Sequence, residues 1–336
     1  MATICIEGPS AFTELAADWD SLAQRGATDT PFQTLAYQKS WWTNLHPADA
    51  RLYTFVTRDD AGELRGIASL YHHGDSLHFN GCVEETDYLD LIAAQEDVAW
   101  VWSEVMACLE ACELPPWTNI ELCNIPEASP TREALKTIAT ERNYSTEEDI
   151  IEVCPIINLP GTYDDYLDSL DSKQRRELNR KMRRASAADV TNTVVGPDED
   201  IHAAVDEFLN LLQKSTFEKR DWLNDGRRAV FHEVAEAAQA AGTLQLMFSA
   251  VDGDQAAGLF NFDYNNRIWV YNSGLDPSKY NALGLGVVLT AASIEKAISD
   301  GRKTFDFLRG NEGYKYRFGA KDTNIYRLTL SKRPSA

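Results

Sequence analysis

No stretch of this 336-residue chain approaches the roughly 20 consecutive apolar residues that cross a bilayer. No basic segment precedes an apolar one at the N-terminus, so neither a membrane span nor export is expected, and the cytoplasm is the expected location. Cysteine is sparse. Cys5, Cys82, Cys108, Cys112, Cys123 and Cys154 form no CxxC pair, which favours reduced core thiols over disulfides or zinc. His72, His73 and His78 lack a Cys or carboxylate partner at metal-ligand spacing, so a loop with incidental imidazoles is expected there, and no metal. No Ser/His/Asp or Cys/His set stands out, so nothing points to covalent catalysis. Positive charge is also short: 32 Lys and Arg against 52 Asp and Glu give −20. The deficit is uneven, with residues 1–150 holding 26 acidic and 8 basic side chains (−18) and residues 151–336 holding 26 and 24 (−2). Such a field repels nucleic acid and anionic lipid and favours cationic or neutral partners; solubility would be served equally well.

What is present concentrates near the C-terminus. In Lys303–Lys321, Phe305 and Phe307 alternate with Asp306, as in a short buried strand opening at Leu308-Arg309-Gly310. Glu312, Tyr314, Lys315, Tyr316 and Arg317 follow at once, a mix of titratable and aromatic groups where α/β proteins place ligand contacts. Upstream, 243–250, 255–264 and 267–274 read as three strands separated by Asp252-Gly253-Asp254 and Asn265-Asn266. Asn281-Ala282-Leu283-Gly284-Leu285-Gly286 then opens a helix over 287–300. Two glycines at a strand-to-helix turn let main-chain N–H groups approach a phosphate, and the helix dipole adds to them.

The length suits about two domains. In the first half, strands are expected at 3–7, 52–58, 64–71 and 119–122, and helices at 11–23, 35–45, 98–112 and 130–142, with no evident glycine turn. Asp87-Tyr88-Leu89-Asp90-Leu91-Ile92 reads as a further strand with Asp90 near a burial point; a site carboxylate and a strand-edge pair are both open readings. A strand over 150–159 marks the boundary, dividing the chain into 1–158 and 159–336. Beyond it, Thr162 caps a helix, and Lys173, Arg175, Arg176, Arg180, Lys181, Arg183 and Arg184 against Glu177 give +6 in twelve residues. That run is either a solvated face or a binder of a phosphorylated ligand. Helices at 199–217 and 227–241 and a last strand at 323–330 complete the order, and Lys332–Ala336 is expected to fray.

The order of three strands, glycine turn, helix, strand and aromatic-basic segment resembles the C-terminal core of the GNAT acyltransferase superfamily. Phe305–Gly310, Tyr314–Gly319, Arg175–Leu178 and Arg183-Arg184 resemble its FemAB-like and cellulose-biosynthesis-associated branch. The resemblance implies a mixed α/β fold of two tandem GNAT-like domains, each a mostly antiparallel twisted sheet flanked by helices, with a cleft between them. It implies an acyl-coenzyme A co-substrate whose pyrophosphate is held by Asn281, Gly284, Leu285 and Gly286, Asn281 standing where the family has Gln or Arg. The acidic first domain, lacking that loop, would bind no cofactor. Tyr314 is the implied proton donor to the leaving thiolate, with Tyr316 in reserve, and Asp306 the base, helped by Asp87 or Asp90 across the cleft. Lys315, Arg309, Arg175, Arg176 and Tyr88 are the implied substrate contacts. Three functions remain open: transfer from acyl-coenzyme A to a small or cell-envelope-related amine; FemAB-like transfer from aminoacyl-tRNA, which the basic run favours and the net charge opposes; and a non-catalytic binding protein. The acceptor, acyl chain length and oligomeric state are not written in the sequence.

Overall fold

The computed structural model describes residues 2–82 and 85–333, and the chain falls into two units, 1–153 with 323–336, and 154–322. The boundary lies a few residues before the one expected, and the C-terminal segment belongs to the first unit.

The first unit begins with β1 (Ala2–Glu7), followed by α1 (Ala11–Glu14) and α2 (Trp19–Ala23). The single helix expected over 11–23 is broken by a turn, and Phe12, Leu15, Trp19 and Leu22 all enter the core. In α3 (Leu35–Leu45), the Thr34 hydroxyl caps the helix by accepting the Tyr37 N–H. The hairpin of β2 (Arg51–Arg58) and β3 (Leu64–His73) continues into β4 (Ser76–Phe79), and His72, His73 and His78 lie on these strands rather than in a loop. Only β5 (Ile92–Ala93) of the strand expected at 87–92 forms. Then come α4 (Val98–Ala111), β6 (Asn119–Pro126), α5 (Thr131–Glu141) and β7 (Tyr144–Asn158), the last running to the second unit. Pairing is antiparallel along β1, β2, β3 and β4, and parallel between β4 and β6. That parallel contact sets Cys82 beside Cys123, and the two form a disulfide with Cα atoms 6.2 Å apart. The expectation of reduced thiols throughout is corrected here, because the pairing joins residues 41 apart in sequence; Cys5, Cys108, Cys112 and Cys154 form no disulfide.

Residues 86–91 fail to form a strand because the Asp90 side chain organises them instead. Its carboxylate accepts hydrogen bonds from the hydroxyls of Thr28 (2.6 Å), Ser129 (2.5 Å) and Thr131 (2.5 Å) and from the Leu91 N–H (2.8 Å), while its carbonyl accepts from Gln33 Nε2. Burial pushes this carboxyl upward in pKa, against the four donors that pull it down.

In the second unit, Thr162 caps α6 (Tyr163–Ser169), and Asp171 caps the basic helix α7 (Ser172–Ser186). There follow β8 (Thr191–Val194), α8 (Ile201–Ser215), α9 (Phe217–Trp222), α10 (Asp225–Ala240), β9 (Leu244–Val251), β10 (Asp254–Tyr264), β11 (Arg267–Leu275), α11 (Leu285–Ser299), β12 (Thr304–Asp306) and α12 (Gly313–Arg317). Strands β8, β9, β10 and β11 pair antiparallel, β11 and β12 pair parallel, and β12 pairs antiparallel with Ile156–Asn158. Leu285, Leu289 and Ile294 of α11 pack with Phe305 and Phe307, and Leu178 of α7 joins the same cluster. Full burial of each such side chain contributes about 1.5–3 kcal/mol.

The last strand, β13 (Lys321–Lys332), pairs with β6 of the first unit. Lys332 does not fray: its N–H donates to Thr118 O and its Nζ lies 3.3 Å from the centre of the Trp117 ring. Residues 334–336 of the expected tail lie outside the described residues. Each unit thus contains one parallel strand pair joined through a helix, β4 and β6 through α4, and β11 and β12 through α11.

Replacing Asp90 with Ala leaves three buried hydroxyls without their acceptor, so Asp90→Ala is expected to lower stability by about 2–4 kcal/mol in urea denaturation. A loss under about 0.5 kcal/mol would show that the network is not a support of this unit.

Candidate active site

The second unit's parallel pair parts almost as soon as it forms. Strand β12 matches β11 only from Thr304, opposite Arg267, to Asp306, opposite Trp269, while its other edge runs on along β7, where the Phe307 N–H donates to Pro155 O. Strand β11 runs on to Leu275 beside β10, with a bulge at Tyr271 where Asn272 faces Phe260 and Val270 faces Asn261. A bulge adds local twist and re-aims the residues beyond it. Between the diverging strands lies a cavity of about 260 Å³. Val270, Ser273 and Leu275 form the sheet wall, Gly284, Gly286, Val287 and Thr290 the α11 wall, and Phe307, Tyr314 and Phe318 the far side. Below the usual size of a drug-sized pocket and mostly apolar, it suits a thin flexible chain.

At its α11 end the glycine turn works with a helix that the sequence had left apart from it. Gly284 is left-handed (φ 65°) and precedes Leu285, while a Cβ on Gly286 would meet nothing within 4 Å. The first N–H groups of a helix have no intrahelical partner, so this end offers donors and a positive dipole. Helix α7 supplies cations there. Lys181 Nζ lies 2.8 Å from where a Gly284 Cβ would stand, and Arg184 Nη1 donates to Ala282 O at 2.8 Å. Asn281 lies in the short turn Asn281–Leu283, exposed, its carbonyl accepting the Gly284 N–H. Arg175 is turned to Asp168 of α6, and Arg176 stands exposed on α7.

The segment after β12 is held by two buried ions. Asp306 is fully buried; Arg267 Nη1 donates to it at 3.2 Å, and it accepts the Leu308 N–H at 2.8 Å, fixing a residue with φ of 57°. Strand alternation puts Asp306 on the face opposite Phe305 and Phe307, away from the cavity wall that Phe307 forms. Lys315 is likewise buried and donates to the carbonyls of Leu308 (3.1 Å), Arg309 (2.7 Å) and Gly310 (3.0 Å), with Glu312 at 2.9 Å as its ion partner. Both residues therefore brace the 308–313 segment. Tyr314 is at the cavity, edge-on to Phe307. Burial first, then Glu312, pushes its phenol pKa well up, so it is protonated at neutral pH, the form a proton donor needs. Tyr316 points elsewhere and donates to Asp322.

Asp87, Tyr88 and Asp90 belong to the first unit, in the 80–97 stretch that stands where the second unit has its glycine turn. Asp87 is half-buried, Tyr88 is buried with its ring 6.4 Å from Phe32, and Asp90 is the hub already described. The sequence reading missed Lys219. Its Nζ donates to Ser273 O at 2.6 Å and Asn272 Oδ1 at 3.1 Å, and burial brings its pKa down to about 8. Nothing in Phe217-Glu218-Lys219-Arg220 marks it, since its partners lie more than 50 residues on.

Residues 172–316 match the family model described as an acetyltransferase (GNAT) domain. Among solved structures, the chain is similar to FemX (TM-score 0.65, 11% identity, 96% of each chain covered). It is also similar to the C-terminal domain of a putative lysylphosphatidylglycerol synthetase from Agrobacterium fabrum (0.62, 11%, 95% of this chain and 92% of that one). A tandem GNAT protein from the clavulanic acid biosynthesis pathway aligns at 0.50 and 12%, covering 99% and 100%. No curated protein matches the chain. At these identities the structural likeness is one of fold. Residues 172–316 thus carry an acetyltransferase (GNAT) domain. The fold of the chain is similar to those of FemX and of the tandem GNAT protein.

Replacing Lys315 with Met removes three main-chain bonds and leaves buried carbonyls unpaired. Lys315→Met is expected to cost about 3 kcal/mol in chemical denaturation, with acyl transfer lost under conditions where the fold survives.

Proposed function

We propose that the chain moves an acyl group from acyl-coenzyme A to a primary amine on a small or cell-envelope-related acceptor. The observation that carries this reading is the narrow apolar cavity between β11 and β12, ending at a glycine turn flanked by Lys181 and Arg184. The cavity takes the pantetheine arm, and the N–H groups of Leu285 and Gly286 with the two cations take the pyrophosphate. The donor is an intracellular metabolite, so the reaction belongs in the cytoplasm; no described helix is long and apolar enough to cross a membrane.

In the reaction the C–N bond forms as the C–S bond breaks. Main-chain N–H groups on the open edge of β11 polarise the acyl carbonyl, and the Tyr314 phenol gives its proton to the departing thiolate. Asp306 and Lys315 act through the 308–313 segment, holding Tyr314 at the cavity. Among the described residues no group of three His, Cys, Asp or Glu is arranged to hold a metal, and this scheme uses none.

Transfer from aminoacyl-tRNA is the second reading, favoured by the exposed row of Arg176, Arg180 and Arg183 on α7. Salt separates the two, since binding through many phosphates weakens steeply as salt rises.

Calorimetric titration of acetyl- and longer acyl-coenzyme A is expected to show micromolar binding. Gly286→Asp is the informative control: its side chain meets open space and an anion suits a helix N-terminus, so the fold holds while phosphate is repelled. No binding of any acyl-coenzyme A, together with salt-sensitive binding of aminoacyl-tRNA, would transfer the function to the second reading. Tyr314→Phe is expected to leave acyl-coenzyme A affinity within about threefold while lowering kcat by about 10²-fold. An unchanged kcat would remove Tyr314 from the chemistry.

A further inference from the structure

Acyl transfer to an amine needs a group that accepts a proton from the incoming ammonium, and Asp306, the carboxylate at the end of β12, faces away from the cavity. A different side chain bonds directly to a residue of the cavity wall. Beyond Trp269, β11 has lost β12 as a neighbour, so the main-chain groups on that edge turn toward the splay. At Ser273, a cavity residue, both such groups are taken by side chains: its N–H donates to Asn272 Oδ1 and its carbonyl accepts Lys219 Nζ. Lys219 is thereby fixed at the open edge of β11. Its own helix is anchored by the Thr216 hydroxyl, which accepts the Lys219 N–H at 3.2 Å.

We propose that Lys219 is the proton acceptor for the attacking amine, an inference that rests on the acyl-transfer reading above. The nitrogen makes two hydrogen bonds as a donor, to Ser273 O and Asn272 Oδ1. In the neutral amine those bonds use both N–H groups and leave the lone pair in the remaining tetrahedral direction. An incoming ammonium gives one proton to that lone pair. The resulting amine attacks the thioester carbonyl, the C–N bond forms, the C–S bond breaks, and the thiolate takes a proton from Tyr314. Lys219 then releases its proton to water, and the phenol is restored by the second proton lost from the amine nitrogen.

The surroundings fit a base that works near neutrality. Burial lowers the Lys219 pKa to about 8, while the Glu312 charge raises it and keeps it from falling further. Glu312, from the segment before α12, acts on Tyr314 as well, so one carboxylate lies near both groups. On α9, Arg220 lies over the Phe217 ring, with Glu218 beside it; on α8, Lys214 faces Asp276. From β11 come Asn272 and the Ser273 carbonyl. A base is most effective with a pKa near the working pH, which an ordinary carboxylate near 4 or an exposed lysine near 10.5 does not offer.

The test is pH-dependent labelling of the full chain with acetic anhydride, each lysine followed by peptide mass spectrometry. Lys219 is expected to reach half its maximal reactivity near pH 8 and to be protected by saturating acetyl-coenzyme A. Titration together with the exposed lysines, or indifference to acetyl-coenzyme A that is shown calorimetrically to bind, overturns the proposal. Failure of acetyl-coenzyme A to bind at all strikes the donor reading instead, a separate and recognisable result. Lys219→Met supplies a kinetic readout that a merely structural role would not give. Thiol release with methylamine, a cation at neutral pH, is expected to slow by about 10²-fold or more, and with hydroxylamine, already neutral, by less than about threefold. Equal slowing with both nucleophiles, or with neither, overturns the assignment.

Discussion

The arrangement of the candidate site depends on one constraint, the parting of β12 from β11 after three residue pairs. A parallel pair that continued would close its hydrogen bonds and leave no room between the strands. Here β12 stays paired with β7 through the Phe307 N–H and Pro155, the bulge at Tyr271 redirects β11, and the released edge faces a cavity. Buried main-chain groups need partners wherever the ladder is broken. Lys219 and Asn272 answer that need on β11, and Lys315 answers it at Leu308, Arg309 and Gly310. The side chains that complete the broken ladder therefore bond to Ser273 of the cavity wall and to the segment that leads to Tyr314.

The two units share a plan and differ in what fills it. Each joins a parallel strand pair through a helix, but between its strand and helix the second unit has a short glycine turn and the first has residues 80–97. Within that stretch Asp90 accepts hydrogen bonds from Thr28, Ser129 and Thr131 with its carboxylate and from Gln33 with its carbonyl. Cys82 pins its start to β6. A buried carboxylate satisfied by three hydroxyls rigidifies its surroundings and is costly to disturb. The difference explains how one tandem fold can hold a cavity in one unit and a packed polar core in the other.

Much of this was legible in the sequence where the signal is local. Periodicity located α3 to the residue and the strands β9 to β11 within a residue or two, and Thr162 announced α6. The glycine turn stood out from residue type and spacing and Tyr314 from the family resemblance, and both line the cavity. What stayed hidden depends on distant partners. Asp87–Ile92 alternates like a strand, yet hydroxyls some 40 and 60 residues away hold Asp90 instead. Asp306 and Lys315 look like reactive groups in a polar run, and burial turns them into braces. The basic run could be a solvated face until Lys181 and Arg184 are seen against the glycine turn, roughly 100 residues on. Lys219 carries no sequence signal, since its character comes wholly from burial against Ser273.

The central claim is that the splay of the second unit, and not the matching region of the first, receives the acyl donor. Hydrogen–deuterium exchange of the full chain with and without a non-hydrolysable acetyl-coenzyme A analogue tests it most directly. The account predicts new protection confined to about 270–290 and 307–318, around β11, the glycine turn and Tyr314. Protection centred on 80–97, or none in the second unit despite saturation, would contradict it.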